Sequence, residues 1–188
     1  MCYNLEGRMN YMRIYDGNKF DSTNRKTDKF LKVNSCGFQK QEAGYTVIRQ
    51  TGRIDYHLLL LTKGELKVVY KENTHILHAG GLVLYEPNVS QYYETLTETN
   101  TLWLHFAGTA VKEILKDADI VPGVYASDCT SSLNDSFLEL IRNFSYSGTE
   151  NYIPGLLLIL LARLSDLTPK QFQTLSHTSI KTTTRSLL

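Results

Sequence analysis

The stretch VIRQTGRIDYHLLLLTKG, from Val47 to Gly64, opens on an apolar run with Arg49 inside it. It continues through the turn-forming segment Gly52 to Asp55 and ends in a nearly continuous hydrophobic block, Tyr56 to Leu61, closed off by Gly64. That order suits a strand, a tight turn and a second strand. A short unbroken apolar block bounded by turn residues fits a strand covered on both faces. Working outward, β-rich runs separated by Gly, Asn and Pro recur about every ten residues, the rhythm of an antiparallel sandwich or barrel. Strands are expected near 45–50, 56–61, 65–71, 74–78, 82–86, 91–96 and 101–106. A hairpin should turn at Glu72-Asn73, Gly80-Gly81 should reset the chain, and Pro87-Asn88 should end the strand LVLY.

Beyond Gly108 the apolar period changes from two to about 3.6. Val111, Ile114 and Leu115 predict a short helix. Leu133, Phe137, Leu140, Ile141 and Phe144 mark one face of a longer helix capped by Ser131 or Ser132. Pro154 suits the first turn of a last helix, whose Leu157, Leu160, Leu164 and Leu167 follow alternating three and four spacing, widened by Leu156 and Leu161. A stripe that wide must be covered by the barrel, the preceding helix or a second chain. Upstream, residues 1–29 are polar and irregular and read as a mobile arm. Downstream, residues 168–188 are rich in Ser and Thr with no sustained period and read as a linker. The expected organisation is therefore an arm (1–29), a barrel (30–108), a helical segment (109–167) and a linker (168–188). The fold class is mainly β with C-terminal helices.

The chain has 188 residues, 42% of them hydrophobic, enough for one domain with a respectable core. Its formal charge of +1 supplies no broad field for nucleic acid or an anionic membrane. Cys2, Cys36 and Cys129 are widely spaced and form no Cys-x-x-Cys pattern, so they read as reduced thiols, with Cys36 and Cys129 packed as small apolar groups. The N-terminal segment lacks the apolar block of a signal peptide, and the longest apolar run, Leu156 to Ala162, is well short of a membrane span. A cytoplasmic protein is expected.

The chemistry-bearing residues are few. His75 and His78 are three apart in a strand and should point to opposite faces, and His57 is followed two residues on by Leu59, so no His-x-His pair is formed. Neither a nucleophile elbow nor a phosphate-cradling glycine loop is present. In TLWLHF, Thr101, Trp103 and His105 share one strand face, while Leu102, Leu104 and Phe106 share the other. One face suits a core and the opposite one a pocket, in which Trp103 can stack on a small amphipathic ligand; an ordinary core tryptophan fits the pattern as well. Arg49 inside a β run needs acceptors for its five donors, from a protein carboxylate or from a ligand. Tyr85, Tyr92 and Tyr93 add hydroxyls near the same rim.

Taken together, VNSCGFQ, VIRQTGRIDYHLLLLTKGELKV, HAGGLVLYEPNVSQYYE and LWLHFAG resemble the amino-terminal effector-binding and dimerisation domain of AraC-type bacterial transcription regulators, over roughly residues 30 to 167. The resemblance implies a cupin-like β-barrel, or jelly roll, followed by helices that pair two subunits. It also implies DNA binding through a carboxy-terminal domain with helix-turn-helix motifs that this chain lacks, and no enzymatic activity. Arg49, Tyr93 and Trp103 match positions that serve a sugar in arabinose-type members, and Thr101 stands where those members carry histidine. With His105 they form the expected ligand-binding set, for a small-molecule effector of carbohydrate type. Gln91 stands where cupins often place a metal-binding histidine, so neither metal nor cofactor is expected. Leu157, Leu160, Leu164 and Leu167 are the expected dimerisation residues of a homodimer. The rivals are a metal-dependent cupin enzyme and a dimerisation module without effector.

Overall fold

The strand rhythm of the sequence is realised as β3 (Thr46–Arg49), β4 (Tyr56–Lys63), β5 (Glu65–Tyr70), β6 (Asn73–His78), β7 (Leu82–Tyr85), β8 (Gln91–Thr95) and β9 (Thr99–Ala107), each within a few residues of its expected place. The computed structural model describes residues 11–15 by their backbone, and residues 28–125, 131–144 and 152–167 in full. Three further strands join the seven: β1 (Tyr11–Tyr15), β2 (Lys32–Gln41) and β10 (Gly123–Tyr125). Among the described residues, two antiparallel sheets result, one ordered β1-β2-β9-β4-β7-β10 and the other β3-β8-β5-β6. They form the jelly-roll sandwich of a mainly β protein. Arg49 ends a strand of the smaller sheet and Tyr56 begins one of the larger, so the Gly52 to Asp55 segment is a corner between sheets.

Strand alternation divides the six-stranded sheet between two cores. Leu58, Leu60, Leu82, Leu84, Leu102, Leu104 and Phe106 point outward and pack under the helices α1 (Val111–Asp117), α2 (Ser131–Phe144) and α3 (Tyr152–Ser165). Leu59, Leu61, Val83 and Tyr85 point inward, against Leu66, Val68, Leu77 and Tyr93 of the four-stranded sheet. The block Leu58–Leu61 is thus covered on both faces, as its unbroken hydrophobicity predicts. Cys36 joins the helix-side core as a small apolar group, and burial pushes its thiol pKa up. Cys2 and Cys129 lie outside the described residues, as does the 168–188 linker. Among the described residues no helix is long and apolar enough to cross a membrane.

Four expectations need correction. Residues 11–15 of the supposed arm form a strand that pairs with Ser35–Gln39 at the sheet edge. The β5–β6 hairpin turns at Lys71-Glu72, both at positive φ (45° and 70°), so that Asn73 is already paired with Tyr70. The boundary at 108 is not clean, because Gly123–Tyr125 returns from the helical segment to extend the larger sheet beside β7. Finally, Leu157, Leu160 and Leu164 are fully buried within this subunit and Leu167 packs against the same core, so the stripe is covered by α2 and the sheet rather than offered to a second chain. The outward side of α3 carries Leu158 and Ile159 instead.

Candidate functional site

The inward face of β9 presents Thr101, Trp103 and His105, all buried, while its neighbours in the sheet present Ser35, Gly37 and Gln39 on β2 and His57, Leu59 and Leu61 on β4 at the paired positions. A glycine, Gly37, stands opposite Trp103 in the register and contributes no side chain of its own on that flank. The opposing sheet contributes Arg49 from the end of β3 and, from the inward positions of β8, Gln91 and Tyr93. Groups from both sheets therefore meet in the interior.

They are linked continuously. The rings of Trp103 and His105 lie 5.3 Å apart between centroids, those of His105 and His57 4.3 Å, and those of His57 and Tyr93 6.3 Å. Arg49 Nη1 donates to Gln91 Oε1 at 3.0 Å, and His57 Nδ1 lies 3.4 Å from the same oxygen. Because a guanidinium can only donate, Arg49 fixes which end of the Gln91 amide is the oxygen. His57 must then donate from Nδ1, leaving its Nε2 as an acceptor. Burial, then the positive charges of Arg49 and Arg53, hold His57 well below the usual imidazole pKa, so it is neutral near pH 7; the hydrogen bond with Gln91 opposes this only weakly.

A second polar group braces this cluster. Asp55, fully buried, accepts from Arg53 Nε at 2.7 Å and Nη2 at 3.2 Å, and from Asn34 Nδ2 at 3.0 Å. Asn34 reaches it because the β2–β9 register shifts between Val33 and Ser35, a bulge that re-aims the side chain. His105 Nδ1 lies 3.9 Å from Asp55 Oδ1. The corner itself is locked by Gly52, whose φ of 68° and close approach to the Val89 backbone leave no room for a Cβ. Tyr85, buried beneath His57, reaches toward the backbone oxygens of Val69 and Tyr92 in the opposite sheet, at 3.5 and 3.3 Å. Burial raises the Tyr93 hydroxyl pKa, against the adjacent Arg49 charge and hydrogen bond, which favour the phenolate.

Of the residues singled out in the sequence, Arg49, Tyr93, Trp103 and His105 are brought together. Thr101 shares their face, but it lies a strand repeat beyond Trp103, away from Arg49, with its hydroxyl directed to the Gln39 carbonyl at 3.4 Å. Tyr92 points outward, to Glu94. Sequence reasoning did not assign Gln91, His57 or Asp55 to the site. Their signal is the combination of inward strand phase with a polar side chain, which the flanking residues alone do not convert into a partner. Among the described residues, no group of three His, Cys, Asp or Glu side chains is placed to hold a metal ion.

The family model for the AraC-like ligand binding domain matches residues 32–178. Among solved structures, apo ToxT K231A from Vibrio cholerae strain SCE256 is similar at a TM-score of 0.51 and 16% identity, over 74% of this chain and 56% of that one. ToxT from Vibrio cholerae O395 bound to (E)-4-(8-methylnaphthalen-1-yl)but-3-enoic acid gives a TM-score of 0.48 and 13% identity, over 69% and 54%. A predicted oxalate decarboxylase from Thermotoga maritima gives 0.36 and 14%, over 39% and 66%. No curated protein matches by sequence. The chain spans about half the length of the ToxT structures it matches, 56% and 54%. The model match covers most of the chain and extends from the second strand through all three helices, so this chain belongs to the family of AraC-like ligand-binding domains.

Proposed function

We propose that this chain is the effector-sensing domain of an AraC-type transcription regulator, a non-enzymatic, cytoplasmic binding domain that takes a small carbohydrate between its two sheets and pairs as a homodimer. DNA would be read by a further domain. The observation that carries this reading is the continuous cluster of the buried Trp103, His105, His57, Gln91 and Tyr93 with the half-buried Arg49, which offers an aromatic face and hydrogen-bonding groups from both sheets to one small polar molecule. Charge-assisted hydrogen bonds from Arg49 are worth about 1.5–3 kcal/mol each. A ligand bridging the sheets can act on DNA binding only through its differential affinity for two arrangements of the subunit.

The test uses the chain's only tryptophan, Trp103, as its reporter. Titration with mono- and disaccharides and their acid derivatives should give a saturable change in tryptophan fluorescence, and Arg49→Ala should weaken it by at least about tenfold. A signal unaffected by Arg49→Ala would place the ligand elsewhere, and no response to any member of the panel, confirmed by calorimetry, would defeat the carbohydrate reading.

A further inference from the structure

Two donors stand side by side in the interior with too little to receive them. Arg49 is half-buried, and its partners are neutral: the Gln91 amide oxygen at 3.0 Å and the Tyr93 hydroxyl. No carboxylate among the described residues pairs with it. The neighbouring Arg53 shows the contrast, since its guanidinium is held bidentately by Asp55. Gln91 is itself 1% exposed, and with its oxygen claimed by Arg49 and His57 its Nε2 is buried with no acceptor. A buried donor left unsatisfied is costly, and a half-buried cation without a counter-charge beside it adds to that cost.

The nearby carboxylates do not fill this gap. Asp55 is occupied by Arg53 and Asn34, and Glu86 by Lys71 at 2.8 Å and the Tyr70 hydroxyl at 3.2 Å. The positive charge of Arg49 is felt by its neighbour, for it disfavours a proton on His57. With a formal charge of only +1 over the whole chain, this is a local arrangement rather than a reflection of a basic protein.

We infer that the effector carries a carboxylate, received by Arg49 and Gln91 Nε2, and is therefore a sugar acid such as a hexuronate or aldonate rather than a neutral sugar. This rests on the carbohydrate reading above. A neutral hydroxyl can accept one of these hydrogen bonds but leaves the guanidinium charge uncompensated, whereas a planar carboxylate has two oxygens and the counter-charge. The hydroxyl-bearing remainder would then extend across His57 toward Trp103.

Calorimetry on the full chain with matched pairs, glucuronate against glucose and galacturonate against galactose, tests the inference. At least one acid should bind about tenfold or more tightly than its neutral parent, with affinity falling as salt is raised. Gln91→Glu, nearly isosteric and able to pair with Arg49 within the protein, should keep the thermal transition and abolish that preference. Equal or tighter binding of the neutral sugars overturns the carboxylate while leaving a sugar sensor standing. Unchanged acid preference in a folded Gln91→Glu variant overturns the assignment to this pair, and failure of every acid and neutral sugar to bind overturns both readings.

Discussion

His57 is the residue on which the site's electrostatics converge, and its position makes a pH prediction. Burial and two nearby arginines keep it neutral in the folded chain. In the unfolded chain an ordinary histidine takes up a proton near pH 6.5. Stability from this group is therefore complete above that pH and declines as pH falls below it toward the depressed folded value, with a slope approaching about 1.4 kcal/mol per pH unit. Denaturant unfolding of the wild type and of His57→Gln between pH 8 and 5 should give parallel curves above neutrality, and a steeper loss in the wild type below pH 6.5. Parallel curves throughout would show that His57 charges freely in the folded state. Residue chemistry was only partly legible beforehand. Arg49, Trp103 and His105 announce themselves because a cation or an amphipathic ring on an inward strand phase demands an explanation. Gln91 has no such signal, since its importance comes from Arg49 and His57, which reach it from different strands.

At the scale of elements, periodicity located the strands between 45 and 106 because each has a regular inward phase or an unbroken apolar block between turn residues. It failed for Lys32–Gln41, whose sequence KVNSCGFQKQ buries Ser35, Gln39 and Gln41 along with Val33 and Cys36, so its inward face is largely polar. It also placed the β5–β6 turn one residue late, because Asn73 looks like a turn residue while Lys71 and Glu72 do not. A two-residue hairpin with both central residues at positive φ strongly favours glycine or asparagine there. Glu72 sits at φ 70° with no ladder role, so Glu72→Gly should stabilise the chain by roughly 0.5–1 kcal/mol, the relief of the left-handed strain exceeding glycine's entropic cost. The readout is the thermal midpoint, which should rise by a few degrees; a fall would mean that the turn relaxes without strain in solution.

For the whole molecule, the decisive ambiguity was which side of α3 faces the protein. Gly155, Leu158, Ile159 and Ala162 follow the same helical spacing as the leucine stripe, one phase over, and a helix apolar on both sides gives periodicity nothing to choose by. The packing chooses: Leu157, Leu160 and Leu164 are fully buried against α2 and the sheet, whereas Leu158 and Ile159 are 40% and 48% exposed and a Cβ on Gly155 would meet open space. Two substitutions one residue apart therefore separate folding from assembly. Leu160→Glu puts a charge into a core where even truncation to alanine costs about 2–5 kcal/mol, and should abolish cooperative unfolding. Ile159→Glu lies on the outer phase, so it should leave the thermal transition within about 0.5 kcal/mol of the wild type. If the proposed homodimer forms through this helix, Ile159→Glu should also shift the sedimentation coefficient to that of a monomer. A folded, monomeric Leu160→Glu protein would instead return the interface to the leucine stripe, and a folded dimeric Ile159→Glu protein would move it off this helix altogether.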